Sequence, residues 1–363
     1  MRLSTFKNKK VLITGHTGFK GSWLSTWLSQ LGADVIGISN SVPSNPSHYQ
    51  YIKKSLTHDH REDIRNLKGL SLILKNHNPD FVFHLAAQPL VRESYKDPLS
   101  TWNTNLIGTL NLLEALREMK SPCYAVFITS DKCYDNVEWT WGYRENDRLG
   151  GPDPYSASKG CAELAINSYK KSFFNSSKSM VRIASARAGN VIGGGDWAKD
   201  RIVPDCMRAW SISKSVKLRN PNSTRPWQHV LEPLSGYLAL ALALYSNNSI
   251  HGESFNFGPQ SAQTQSVLDV VKEMAKYWDK VQWIDDSINK TDLHESCLLK
   301  LNCDKALHSL NWYSCLSFPE TIKLTVDWYK SFKDNPMEIE KLSHKQIKEY
   351  INIASANGVG WAN

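Results

Sequence analysis

No stretch of this sequence approaches the ~18 consecutive apolar residues that a membrane-spanning helix needs. The opening residues, Met1-Arg2-Leu3-Ser4-Thr5-Phe6-Lys7, lack the apolar core of a signal peptide. Cysteine is sparse: there are seven, an odd number, none in CxxC spacing. That argues against a disulfide framework or a zinc site and for reduced thiols in the cytoplasm, with no metal expected. Lys/Arg tracts are missing too, although the net charge is +8. The basic residues are spread along the chain, so a small polyanionic ligand is expected rather than nucleic acid or a membrane. Internal repeats are absent. What remains is 363 residues, 41% hydrophobic and 21% charged, which suits one large α/β unit carrying a smaller lobe.

The first patterned stretch, Lys10-Val11-Leu12-Ile13-Thr14, reads as a buried strand and runs into Gly15-His16-Thr17-Gly18-Phe19-Lys20-Gly21, then into the helical Ser22 to Leu28. Strand, glycine turn and helix in this order aim backbone N–H groups and a helix N-terminus at a pyrophosphate. Gly15, Thr17, Gly18, Phe19, Lys20 and Gly21 are therefore candidate cofactor-binding residues, with G-x-x-G-x-x-G spacing. A second strand, Asp34 to Ser39, should end on an acid that grips a ribose. The chain reads Ser39-Asn40-Ser41 there, so Ser41 takes that place without a charge. No Arg or Lys occurs between Val35 and Ile52 to neutralise a 2'-phosphate, so NAD is expected over NADP; Lys20 is the one nearby cation. After a polar loop, Asp63 and Ile64 are candidates to lie near an adenine, with a helix-capping role for Asp63 equally open. The strand from Asp80 ends in Leu85-Ala86-Ala87-Gln88, small enough to let backbone approach the cofactor. A helix from Asn105 to Leu116 is apolar on more than one side, so it is deeply buried or lies at a subunit interface.

Ala125 to Ile128 reads as another strand, delivering Thr129-Ser130-Asp131-Lys132 at its end. A hydroxyl, a carboxylate and an amine arrive together. From Tyr155 a helical pattern runs to Phe173, placing Tyr155 and Lys159 on one face. Bringing a Tyr from its ordinary pKa of ~10 to near neutrality takes roughly 4 kcal/mol of selective phenolate stabilisation, which a neighbouring ammonium can supply. Tyr and Lys four apart also occur as a half-buried ring beside a solvated amine; the upstream Ser130-Asp131-Lys132 favours chemistry. Met180 to Arg187 is the next strand. The alternation points to a Rossmann-like doubly wound parallel sheet with a smaller C-terminal substrate-binding lobe, ligands lying beyond strand ends at Gly15, Ala86, Ser130 and Arg187.

The expected domains are residues 1–188 for the dinucleotide unit, with segments such as 225–250 returning to it, and 189–330 mainly for the lobe. Asn256 to Pro259 and Leu298 to Leu301 are assigned to the lobe; 331–363 is a C-terminal helix and tail, frayed after Ala354. Among Arg182, Arg187, Arg201, Arg208, Arg219 and Arg225, two or three are expected to hold a diphosphate.

The blocks GHTGFKGSWL (15–24), TSDKCYDN (129–136), WGYREN (141–146), DPYSASKGCAEL (153–164), RAGNVIGGGDWAKDR (187–201) and RPWQHVLEPLSGY (225–237) carry a resemblance. From about Lys9 to about Tyr350 the chain resembles the extended short-chain dehydrogenase/reductases, and within them the CDP-glucose 4,6-dehydratase family. The resemblance implies a bound NAD and a redox-neutral conversion of a nucleotide sugar to its 4-keto-6-deoxy form, for deoxysugar and O-antigen synthesis. It implies that Tyr155 takes the 4-hydroxyl proton, Lys159 lowers its pKa and holds the nicotinamide ribose, and Ser130 bonds the 4-oxygen. Asp131 and Lys132 then act at C6 and C5. Gln88, Asn190, Arg201 and Arg225 are the implied substrate-binding residues. Relatives linked to deoxythymidine carry Asp-Glu where this chain has Asp131-Lys132, which favours the CDP branch. A homodimer or dimer of dimers is also implied. A nucleotide-sugar 4-epimerase or reductase shares Tyr155 and Lys159 and stays open as an alternative, as does a dinucleotide sensor.

Overall fold

Short, mostly apolar runs and one polar edge segment form the centre of the molecule as seven strands. The computed structural model describes residues 2–260, 263–287 and 298–362. The strands are β1 (Lys10–Thr14), β2 (Asp34–Ile38), β3 (His58–His60), β4 (Phe81–His84), β5 (Cys123–Ile128), β6 (Val181–Ala188) and β7 (Ser254–Phe257). They lie in the order 3-2-1-4-5-6-7, all parallel. The order reverses between β1 and β4, where Val11 pairs with Val35 on one side and with Phe81 on the other. Helices α1 (Phe19–Gln30), α2 (Leu67–His77), α3 (Gly108–Arg117) and α4 (Pro154–Tyr169) follow β1, β3, β4 and β5. Such a sheet opens a ligand crevice at its carboxyl edge beside the reversal.

Two apolar layers flank the sheet. Leu70, Leu74, Leu112, Leu116 and Ile166 cover one face; Trp23, Trp27, Leu238, Leu242 and Tyr350 cover the other. α5 (Ile202–Ser211) lies in the lobe, and α6 (Leu231–Ser246) is buried from Leu231 to Leu244 beneath β5 and β6. Its all-round apolar surface is thereby explained. α7 (Val267–Ala275) and α8 (Phe318–Asp334) follow, and α9 (Ile339–Ala356) packs against α1. Short ribbons pair Val191–Ile192 with Gln228–His229, Thr224–Arg225 with Gln265–Ser266, and Val216–Leu218 with Trp283–Asp285.

Three expectations are corrected. Residues 58–60, read as polar loop, form the edge strand β3; His-Asp-His has no apolar signal because little covers an edge. Asn256 and Phe257 belong to the main sheet, where they pair with Arg187 and Ala188, and not to the lobe. The tail beyond Ala354 is anchored, because Trp361 stacks on Tyr350 and meets Trp27 edge-on, with Val359 fully buried beside them. Among the described residues no helix is long and apolar enough to cross a membrane.

Candidate active site

The residues just beyond the carboxyl ends of β1, β4 and β5 line the crevice. β5 ends at Ile128, and Ser130 begins a tight turn: its Oγ accepts from the Lys132 amide at 3.2 Å and donates to Asp131 Oδ1 at 3.0 Å. α4 starts under strong local control. Asp153 accepts from the Ser156 amide at 2.9 Å and from Ser156 Oγ at 2.6 Å, and Pro154 occupies the first helical position. This cap sets Tyr155 in the first turn and Lys159 one turn on, both buried.

Burial dominates the electrostatics. It pushes Tyr155 up to about 12, with Asp131 adding and a hydrogen bond to Ser130 opposing. The expected lowering of Tyr155 is thus not met by the chain alone, since desolvation of a phenolate outweighs what Ser130 and Arg201 return. Burial brings Lys159 down to about 8, opposed by the Glu163 carboxylate and then Cys133. It also raises the Asp131 carboxyl, against Lys132 first and then Ser130, Lys20 and Arg225. Among the described residues Asp131 Oδ2 accepts no hydrogen bond. A buried acid held above its usual range, with one oxygen unengaged, is suited to donate a proton.

One cleft of about 1400 Å³ gathers the candidates. Gly15, Thr17, Gly18, Phe19, Lys20, Gly21, Ser41, Asp63, Ile64, Leu85, Ala86 and Ala87 line one part of it. Ser130, Asp131, Lys132, Tyr155 and Lys159 line its centre, and Gln88, Asn190, Arg201 and Arg225 its remaining wall. Asn105 is the exception. It accepts from the Gln88 amide at 2.8 Å and donates to Ser158 Oγ at 2.9 Å, so it ties the β4 loop to α4 from behind. Of the six arginines, Arg201, Arg208, Arg219 and Arg225 line the cleft. Arg182 donates to the Leu244 carbonyl and Arg187 pairs with Glu163, so neither faces it, contrary to the placing of Arg187 at a ligand-facing strand end.

Several further residues line the cleft without a clear local signal in the sequence. Asp196 holds Arg201 at 2.8 Å, while Asp200 holds Arg219 at 3.0 Å and lies 3.8 Å from Arg92. Trp197 and Trp227 add aromatic surface. The GGGDW motif was the only local hint. Arg65 also reaches the wall near Ser41, where Asp63 engages it at 2.7 Å.

The glycine turn fits a dinucleotide pyrophosphate. Gly15 has φ +77°, and a Cβ there would sit 2.7 Å from the Ala86 nitrogen; one at Gly21 would sit 2.1 Å from the Gly15 carbonyl oxygen. Backbone therefore packs where any side chain would intrude. No side chain caps the N-terminus of α1, and its first turn holds no acid, leaving N–H groups open to an anion.

The GDP-mannose 4,6 dehydratase family matches residues 12–325. The CDP-glucose 4,6-dehydratase of Salmonella typhimurium is 46% identical over 356 residues, covering 96% of this chain and 98% of that protein. The CDP-paratose 2-epimerase of Salmonella typhi is 26% identical, over 89% of this chain and 99% of that one. Among solved structures, the UDP-glucuronic acid 4-epimerase of Bacillus cereus, in complex with UDP-glucuronic acid and NAD, superposes with a TM-score of 0.74 at 24% identity, covering 89% and 99% of the two chains. The chain belongs to the GDP-mannose 4,6 dehydratase family, within the nucleotide-sugar dehydratases and epimerases of the short-chain dehydrogenase/reductase class.

Proposed function

We propose that this protein is an NAD-dependent hydro-lyase that converts CDP-glucose to CDP-4-keto-6-deoxyglucose. The observation that carries the reading is the meeting, in one cleft, of Ser130-Asp131-Lys132 at the end of β5 with Tyr155 and Lys159 on α4. The CDP assignment leans on the 46% identical relative and on Lys132 following Asp131.

In this reading the glycine turn (Gly15 to Gly21), Ser41, Asp63, Ile64, Leu85 to Ala87 and Lys159 hold NAD. Bound there, NAD stores the two electrons that leave C4 and return at C6. Tyr155 takes the proton from the 4-hydroxyl, Lys159 favours the phenolate, and Ser130 hydrogen-bonds the 4-oxygen. Asp131, whose carboxyl burial holds above its usual range, gives its proton to the departing C6 hydroxyl as Lys132 removes the C5 proton, so that water leaves, and the Lys132 ammonium gives a proton back to C5 when the hydride returns at C6. Asn190 and Arg225 engage the diphosphate, with Arg201 and Gln88 as the further substrate-binding residues of the cleft. Asn105 acts as a brace behind the cofactor.

The protein is further proposed to be a cytoplasmic homodimer, or a dimer of dimers. Leu99, Ile107, Leu164 and Phe173 are all exposed on the α3 and α4 side, and a four-helix contact with a second copy would cover them. Light scattering at micromolar concentration should return twice or four times the chain mass; a monomer refutes it. The function is tested by incubating the protein and NAD with CDP-, deoxythymidine-diphospho-, UDP- and GDP-glucose and reading the alkali-induced absorbance of a 4-keto-6-deoxy product. Product from CDP-glucose at the highest rate is expected. A 4-epimerised sugar without water loss, or no turnover, overturns the proposal.

A further inference from the structure

The reaction proposed above leaves one charged group of α4 without a task. Glu163 stands one turn beyond Lys159 and is 3% exposed. Its Oε1 accepts from Thr129 Oγ1 at 2.5 Å; its Oε2 accepts from Arg187 Nη2 at 2.7 Å, Ser185 Oγ at 2.8 Å and Ser254 Oγ at 3.1 Å. These partners belong to β6, β7 and the residue next to Ser130, so one carboxylate spans three neighbouring strands. Arg187 carries the contacts onward to the Tyr134 hydroxyl at 2.8 Å and the Glu145 carbonyl at 2.9 Å. Burying an ion pair is a weak way to stabilise a fold, because desolvation offsets most of the attraction. α4 already packs Ala162 and Ile166 inward without it. A role in the site explains the pair better than packing does.

We propose that Glu163 is a positioning residue of the active site: its carboxylate fixes the helix of Tyr155 and Lys159 to the strand end that carries Ser130, and presents a negative charge to Lys159. This rests on the reading of Tyr155 and Lys159 as the acting pair. The groups around Lys159 are Tyr155 and Glu163 on its own helix, Cys133 after β5, His84 at the end of β4, and Lys20 on the glycine turn. His84 is kept neutral by burial and Lys20 is a like charge. Among these groups Glu163 does most to offset the burial of Lys159. Burial works against the Glu163 charge as well, but Arg187 and the hydrogen bonds from Arg187, Thr129 and Ser185 outweigh it and hold the carboxyl below its usual range.

Three variants of the full chain test this: Glu163→Gln, the double Glu163→Gln/Arg187→Met, which removes both buried charges together, and Glu163→Asp, which keeps the charge on a shorter arm. The rate at which cyanate carbamylates Lys159, mapped by peptide mass spectrometry against pH without substrate, reports where the amine loses its proton. That midpoint should fall by about half a pH unit or more in both charge-removing variants, and the alkaline limb of kcat/KM should follow it. Glu163→Asp should keep the parent midpoint yet lower kcat, because the strand contact is lost. A folded double variant with the parent midpoint overturns the electrostatic part; parent kcat in Glu163→Asp overturns the positioning part. A parent protein that converts none of the nucleotide-glucoses refutes the reaction instead, and the cyanate measurement still judges Glu163.

Discussion

The two walls of the cleft are built differently. The sheet wall, from Gly15 through Ala86 and Ser130 to Tyr155, stands on adjacent parallel strands paired residue by residue, and each candidate group lies within a few residues of a strand end or a helix start. The lobe wall draws Arg201, Arg208, Arg219 and Arg225 from a helix flank and two-stranded ribbons, and holds the first three with Asp196, Asp205 and Asp200. The Arg208–Asp205 and Arg219–Asp200 pairs are partly exposed and contribute about 0–1 kcal/mol each, while the Asp196 carboxylate of the third pair is buried. Cooperative backbone pairing sets the sheet wall; a set of ion pairs sets the lobe wall. The first is suited to hold reacting groups still, the second to admit and grip a charged substrate.

If that contrast is right, the largest loss should come from the sheet wall. Tyr155→Phe should cut turnover by about 10³-fold, within the range of a lost acid/base group, while leaving the midpoint of thermal unfolding near that of the parent. A loss below tenfold would remove Tyr155 from the chemistry. A pH effect of comparable energy should appear away from both walls. Burial raises Glu232 to about 7, against hydrogen bonds from Tyr350 and the backbone of Leu316 and Cys315. A carboxyl raised in the folded state stabilises below its unfolded pKa of about 4.5, and that stability is lost as pH rises toward 7, to a total of about 3 kcal/mol. Glu232→Gln should therefore gain stability relative to the parent between pH 5 and 8 in urea titrations, with KM unchanged; an equal pH slope in both proteins would contradict this.

On the lobe wall, Arg225→Ala should raise KM for the nucleotide sugar by roughly 10- to 100-fold, the worth of one charged hydrogen bond, with kcat changed far less. Equal falls in kcat and kcat/KM would move Arg225 into the chemistry and blur the comparison. Gly21→Ala should destabilise the protein by about 1–3 kcal/mol, as overpacking does, because the new Cβ would press on the Gly15 carbonyl, and calorimetry should show weaker NAD binding. The smallest effect is expected at Arg65, whose pair with Asp63 is partly exposed. Arg65→Ala should change NAD affinity less than fivefold, yet remove any residual binding of NADP.

The sheet wall could be read from the sequence because its information is local. Strands β1, β4, β5 and β6, the glycine turn and the Tyr155 helix were each visible within a dozen residues. The edge strand His58–His60 was not, since an exposed strand needs no apolar residues, and β7 was misplaced because nothing local says which sheet a short strand joins. Arg187 was read as a ligand group; only its pairing with β7 and the reach of Glu163 from α4 show why it faces away.

By itself, then, the sequence determined strands β1, β2, β4, β5 and β6, the glycine turn and the placing of Tyr155 and Lys159 on one helix face, because period, turn chemistry and spacing act over short distances. Tertiary structure alone decided which arginines face the cleft, that a cation, Arg65, joins its wall although none occurs between Val35 and Ile52, and that burial moves Tyr155 up rather than down. Those outcomes depend on desolvation and on partners tens to hundreds of residues away, and neither quantity is written in any one stretch of the chain.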